Sequence, residues 1–169
     1  MKIFLIGFMG CGKTTLGKKL ASKMDYAFID VDKEFENQTG TTIAAYFAAH
    51  GEDGFRRKES EVLQQTDYPE KSIIATGGGA PCFFDNMDWM NKNGLTLYLS
   101  LSPKALASRL EGAAEERPLI KGLKGQQLED FIAGKLAERE AYYNKAELVI
   151  AGLNQTPEKV AQIVEPYLK

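Results

Sequence analysis

Lys2-Ile3-Phe4-Leu5-Ile6-Gly7-Phe8-Met9-Gly10-Cys11-Gly12-Lys13-Thr14-Thr15 begins as an apolar run, turns through three glycines and ends on a lysine and two threonines. From Gly7 to Thr14 it fits the pattern glycine, four residues, glycine, lysine, serine or threonine, and it stands between a strand-like run and a segment of helical period. Leu16, Leu20, Ala21 and Met24 recur at helical spacing, which predicts an amphipathic helix over residues 13–24. Such a turn aims backbone N–H groups at phosphate oxygens and points the positive end of the helix at the same anion. Gly10, Cys11, Gly12, Lys13, Thr14 and Thr15 are therefore read as a phosphate cradle. Within it Lys13 can bridge the β- and γ-phosphates of a nucleotide and Thr14 can offer its hydroxyl to Mg²⁺. The bland alternative, a glycine-rich turn with a solvated lysine, does not require strand, spacing and helix to agree. Cys11 has no histidine near it in sequence and reads as a small loop filler rather than a nucleophile.

Outward from the cradle, short β-rich runs alternate with longer helical stretches, the pattern of βαβ units around a parallel sheet. Strands are predicted over residues 2–7, 26–31, 72–76, 95–101 and 147–151. Between the second and third, residues 33–65 hold no strand. Ile43, Ala44, Phe47 and Ala48 mark one apolar helical face that ends at Gly51, and Phe55, Val62 and Leu63 mark a second helix. A stretch this long predicts a helical subdomain, about residues 32–66, leaning over the sheet edge. Ser102-Pro103 and Thr156-Pro157 are helix starts, a capping hydroxyl followed by proline at the first helical position. Leu106 and Leu110 are the expected buried face of the first, and Val160, Ile163, Val164 and Leu168 of the second. Residues 112–124 lack apolar periodicity and read as a mobile lid.

The chain has 169 residues, enough for one self-sufficient core without disulfide or metal staples. Two cysteines and one histidine supply neither a disulfide framework nor a zinc site. Lys plus Arg total 21 against 23 Asp plus Glu, a net charge of -2, so no global field draws nucleic acid or an anionic membrane and any anion must be met locally. The N-terminal apolar run is too short to span a membrane and breaks into the glycines too early for a secretory signal. A cytoplasmic protein, most simply a monomer, is expected.

An acidic pair and three arginines give the cradle an acceptor side. Asp30 and Asp32 close the second predicted strand, and alternation there would send both carboxylates to one side near the phosphates, one to hold Mg²⁺ through water and one to orient or deprotonate an acceptor hydroxyl. The same pair also suits an acidic helix start. Thr76-Gly77-Gly78-Gly79 ends the third strand, and three glycines call for close approach of the chain to a ligand. Arg56 lies in the basic run Phe55-Arg56-Arg57-Lys58, Arg117 in the lid, and Arg139 four residues before Tyr143, which is near enough to position it. Each arginine alone suits a solvated surface. Together with the cradle, a lid arginine can neutralise charge on a transferred phosphoryl group and firmer ones can grip a carboxylate. His50 reads as a helix-end or surface residue, and Phe83, Phe84 and Trp89 as packing residues on a helix beyond the glycines. The guanine-reading pattern Asn-Lys-x-Asp fails at Asn91-Lys92-Asn93-Gly94 and at Asn144-Lys145-Ala146-Glu147, which disfavours a GTPase.

In this order and spacing, Gly7 to Thr15, Asp30-Val31-Asp32, Phe55-Arg56-x-x-Glu59, Thr76 to Gly79, Arg117-Pro118-Leu119 and Arg139 with Tyr143 resemble shikimate kinases over nearly the whole chain. The resemblance implies a three-layer α/β P-loop kinase fold, with a five-stranded parallel sheet in order 2-3-1-4-5, a helical substrate-binding subdomain and a lid. It implies shikimate as substrate with ATP and Mg²⁺, and catalytic roles for Lys13, Asp32 and Arg117. Asp32, Arg56, Arg139 and Gly77 to Gly79 would hold shikimate; Asp32 would grip the ring hydroxyls and serve as base, and Arg56 and Arg139 would take the carboxylate. Thr14, and Asp30 through water, would serve the metal. Arg109 is the nearest match to the arginine that the family stacks on adenine. The fifth strand runs Ile150-Ala151-Gly152 where relatives often carry aspartate and threonine, and the loop from Asn154 to Pro157 would border adenine mainly by backbone. A kinase of another small polyol acid such as gluconate, and a non-catalytic ATP-binding module, are the alternatives, and a panel of acceptors separates them.

Overall fold

The computed structural model describes residues 1–111 and 118–168. Five strands, β1 (Lys2–Ile6), β2 (Ala27–Asp30), β3 (Ser72–Ala75), β4 (Leu95–Ser100) and β5 (Leu148–Ala151), form one parallel sheet in the order β2-β3-β1-β4-β5. Seven helices flank it among the described residues: α1 (Lys13–Met24), α2 (Val31–Thr39), α3 (Ile43–Gln65), α4 (Asn86–Asn93), α5 (Pro103–Glu111), α6 (Gly125–Tyr143) and α7 (Pro157–Val164).

The central strand divides the core. Successive side chains of a strand point to opposite faces, so Ile3 and Leu5 join one apolar cluster with Leu20 of α1, Leu106 and Leu110 of α5 and Val160 and Val164 of α7. Phe4 and Ile6 join the other, with Phe35 of α2, Phe55, Val62 and Leu63 of α3 and Met87 and Met90 of α4. Both faces of β1 are fully buried, which is why its sequence is a continuous apolar run rather than an alternating one. Each such side chain stabilises the fold by about 1.5–3 kcal/mol of burial, and the layer so fixed puts the C-terminal ends of β1, β2 and β3 side by side, with Leu5 and Asp30 both in register with Ala75.

Three local expectations are corrected. Val31 and Asp32 do not extend the second strand: it ends at Asp30, whose carboxylate caps α2 by accepting from the Asp32 N–H at 3.0 Å. The helix that ends at Gly51 turns Ile43 and Tyr46 inward, while Ala44, Phe47 and Ala48 are exposed. It lies along only one edge of the Phe35 and Phe55 rings, so a single narrow stripe is covered. In α7, Val160 and Val164 are buried but Ile163 is exposed. The capping expectations hold, with Ser102 Oγ accepting from the Ala105 N–H and Thr156 Oγ1 from the Lys159 N–H. Gly51, at φ 73°, breaks α3 between its two expected halves. Of the expected lid, residues 112–117 lie outside the described residues and Pro118–Ile120 form a 3₁₀ turn; at its edges the Glu111 carboxylate accepts from the Gly125 N–H. Among the described residues no helix is long and apolar enough to cross a membrane.

Candidate active site

The cradle forms because β1 stops at Ile6 and the chain must turn sharply into α1. Gly12, the residue before that helix, has φ 98°, a left-handed conformation that favours glycine. It has no side chain to cap α1, and so the N–H groups of the first helical turn are left for an anion. Lys13 is buried, its Nζ donating to the carbonyls of Gly7 at 2.6 Å and Phe8 at 3.1 Å, which holds the ammonium against the loop it serves. Beside it, Thr14 Oγ1 lies 3.4 Å from Asp30 Oδ2. A hydroxyl and a carboxylate so placed are both hard oxygen donors, a fit for Mg²⁺.

A cleft of about 550 Å³ is lined by Gly10, Gly12, Lys13, Thr14, Thr15, Asp30, Asp32, Gly78 and Arg109. The structure thus unites the cradle, both aspartates and one glycine of the run. The carboxylates share the cleft through a helix start rather than through strand alternation, since Asp30 caps α2 and Asp32 lies in its first turn.

A second cavity, of about 250 Å³, adjoins the first across Gly12 and Arg109. Leu16, Leu99, Leu101 and Ile150 give it aliphatic walls, and Gly152, Leu153, Gln155, Thr156 and Pro157 close one side. Arg109 Nη1 donates to the Cys11 carbonyl at 2.9 Å, which ties the last turn of α5 to the cradle. Of the two loop residues expected beside adenine, Pro157 lines this cavity together with Leu153 and Gln155, while Asn154 is outside its lining, its carbonyl accepting from Lys159 Nζ at 3.3 Å. Loop side chains without periodicity gave no sign of that lining.

Behind the glycine run lie Arg56 of α3 and Arg139 of α6, both buried. Arg56 Nη1 pairs with Glu59 Oε1 at 2.8 Å, one helical turn on. At 79 a Cβ would stand 2.5 Å from Arg56 Nη2, so a side chain there would displace the guanidinium from its present place. A Cβ on Gly78 would lie 3.2 Å from the Met9 backbone nitrogen and 3.6 Å from Arg139 Nη1, so this residue joins the cradle to the second arginine. One on Gly77 would lie 2.8 Å from Glu59 Oε2 and 3.1 Å from Asp32 Oδ1. Tyr143 lies close enough to Arg139 to feel its charge, as the spacing suggested; its ring is buried and its hydroxyl donates to the Gly78 carbonyl, which borders the same arginine. Burial pushes the Tyr143 hydroxyl above its ordinary range, so it stays a donor.

Two polar atoms here are buried without a hydrogen-bond partner among the described residues, Arg56 Nε and Arg139 Nη1. An unsatisfied guanidinium N–H is costly to bury, and its presence twice beside one glycine run marks a place prepared for an anion. Glu59 partly balances them. Burial raises its carboxyl to about 7, outweighing the opposing pull of Arg56, with Asp32 adding to the rise and Arg139 opposing it. Sequence reading cited Glu59 only as part of a motif. Phe83, read as a packing residue on a helix, lies instead past a 3₁₀ turn over Ala80–Cys82, with the Arg56 guanidinium 4.3 Å from its ring centre. Arg117 lies outside the described residues.

The family model for shikimate kinase matches residues 9–168. The chain belongs to the shikimate kinase family. A shikimate kinase of Parabacteroides distasonis is 45% identical over 147 residues, 87% of this chain and 85% of that protein. Among solved structures, shikimate kinase from Bacteroides thetaiotaomicron superposes with a TM-score of 0.92 at 38% identity, covering 98% of both chains. The Acinetobacter baumannii enzyme, solved in complex with shikimate, superposes at 0.85 with 32% identity, covering 99% of this chain and 95% of that one. This shikimate kinase family member is an ATP-dependent kinase, and the sheet order expected from the family pattern is the one observed.

Proposed function

We propose that this shikimate kinase transfers the γ-phosphoryl group of MgATP to the 3-hydroxyl of shikimate, giving 3-phosphoshikimate and ADP on the route to chorismate and the aromatic amino acids. The observation that carries the acceptor assignment is the pair of buried guanidinium groups, each with an unpartnered N–H, beside the Gly78-Gly79 backbone and against the cradle. Two such groups suit one carboxylate, because arginine meets carboxylates through a planar fork of donors.

The donor side follows from the same geometry. The uncapped N–H groups of α1 and the Lys13 ammonium take the phosphates, and Lys13 leaves the Gly7 and Phe8 carbonyls to do so. Mg²⁺, when bound, neutralises charge on the β- and γ-phosphates. Thr14, and Asp30 through water, are the residues that would hold it. The aliphatic cavity lined by Arg109 and Pro157 fits the adenine, with Arg109 as the charged group of its wall. Arg117 is assigned to the phosphates from the lid.

On the acceptor side Asp32 lies in the cleft next to the cradle, where its carboxylate accepts the proton of the attacking hydroxyl. The oxygen then bonds to the γ-phosphorus as the bond to the β-phosphate oxygen breaks, and the departing charge stays on ADP. Little covalent help is needed, so the rate comes from alignment and from charge already in place. A coupled ADP-release assay across a panel of hydroxy acids tests the assignment. Shikimate-dependent turnover with MgATP is expected; its absence, or preference for gluconate, would overturn it.

A further inference from the structure

Arg56 is held in its plane and across its face by different parts of the chain. In the plane, Nη1 meets Glu59 and Nη2 lies against the space that Gly79 leaves open. Across the face, the guanidinium carbon is 5.1 Å from the Phe55 ring centre and 4.3 Å from that of Phe83. Phe55 is its neighbour on α3. Phe83 comes from elsewhere, the segment that leaves the glycine run, so its ring ties the orientation of Arg56 to the backbone that borders the acceptor pocket.

An ion pair at one end of a planar cation fixes its place but leaves its tilt free, because the group can rotate about the line of contact. A ring laid on the face removes that rotation and keeps water off that face, while the in-plane N–H groups remain open to a carboxylate. The chain bends to provide the ring. Phe84 takes φ 51°, a left-handed conformation rare for a bulky residue, and its own ring is 62% exposed, whereas Phe83 is partly buried. Two adjacent aromatics are thus sent opposite ways.

We propose that Phe83 is a positioning residue for acceptor recognition, its ring setting the tilt of Arg56 so that the free N–H edge faces the substrate carboxylate. The proposal rests on the reading that Arg56 takes that carboxylate. Phe83 lines neither the cleft that holds the cradle and the aspartates nor the cavity beside it, so its effect falls on acceptor binding and leaves the phosphoryl donor side alone.

Steady-state kinetics of Phe83→Met, Phe83→Leu, Phe83→Tyr, Phe84→Ala and Arg56→Lys test this, with thermal melting of each. Methionine keeps bulk and apolarity but removes the aromatic face. Phe83→Met and Phe83→Leu should raise KM for shikimate about fivefold to thirtyfold, with kcat and KM for ATP unchanged. Phe83→Tyr should restore the wild-type value and Phe84→Ala should match it. If Arg56→Lys raises KM for shikimate while Phe83→Met and Phe83→Leu do not, the role of Phe83 is overturned and the carboxylate reading stands. If Arg56→Lys leaves KM unmoved, the carboxylate reading itself fails. A Phe83 defect spread equally over kcat and both KM values, or one not restored by tyrosine, would mean a packing role and overturn the proposal.

Discussion

Replacing Glu59 with glutamine isolates one titration in the acceptor site. Glu59 is almost wholly buried and its carboxyl is raised from 4.5 to about 7, chiefly by burial, despite Arg56 at 2.8 Å. Between those two values the folded protein keeps a proton that the unfolded chain has released, so the folded state binds more protons and stability falls as pH rises. The stabilisation is full below the unfolded value and is lost as pH rises through about 7. The shift corresponds to about 3 kcal/mol. The glutamine of the variant keeps shape and a hydrogen-bonding oxygen but cannot titrate, and its difference from the protonated carboxyl adds only a pH-independent offset. Urea unfolding of both proteins between about pH 4 and about pH 8 should therefore give a stability difference that moves by about 3 kcal/mol in favour of the variant as pH rises. Parallel stability curves would refute the reasoning, because they would mean that Arg56 holds the carboxylate at its ordinary value and that burial does not win.

Asp32→Asn should lower kcat by about 10²–10⁴-fold, the usual worth of a general base, while ATP affinity measured by calorimetry stays as it was; unchanged turnover would remove Asp32 from the chemistry. Gly79→Ala should fold normally, since φ −90° and ψ −12° suit alanine. Its Cβ would nevertheless push Arg56 Nη2 from a position 2.5 Å away, and loss of one charged hydrogen bond should raise KM for shikimate about tenfold or more with KM for ATP unmoved; an unaltered KM for shikimate would count against Arg56 as an anchor.

What could be read in advance followed the strength of the local signal. The run from Lys2 to Thr15 carries its own punctuation, so strand, cradle and helix were found to within a residue. Asp30 and Asp32 were placed correctly in the cleft but for the wrong local reason, because an aspartate that caps a helix and one that ends a strand look alike until the cap is formed. The apolar face of Ala44, Phe47 and Ala48 was misread because periodicity reports which residues share a side, not whether anything covers that side. Phe83 and Leu153 were missed for a third reason. Neither belongs to a periodic element, and each acquires its place only when β3 and β5 bring a loop back over the sheet edge.

The charges of the acceptor site make sense only as an incomplete set. Arg56 and Arg139 bring two positive charges into a buried space, and the carboxylates of Glu59 and Asp32 both lie against Gly77. If Glu59 were fully ionised and paired, Arg56 would have little remaining demand for a ligand; if it were absent, the guanidinium would be buried against nothing and the fold would pay heavily. A carboxyl raised to about 7 lies between these cases. It lends Arg56 a partner in the empty site and gives up part of that claim by taking a proton when a second carboxylate arrives, since an added negative charge nearby raises it further. Binding of a carboxylate substrate near neutral pH should then draw in a fraction of a proton, visible as a buffer-dependent heat in calorimetry and absent in Glu59→Gln. Arg56 Nε and Arg139 Nη1, the buried side-chain atoms left without partners among the described residues, are the donors that such an anion would meet.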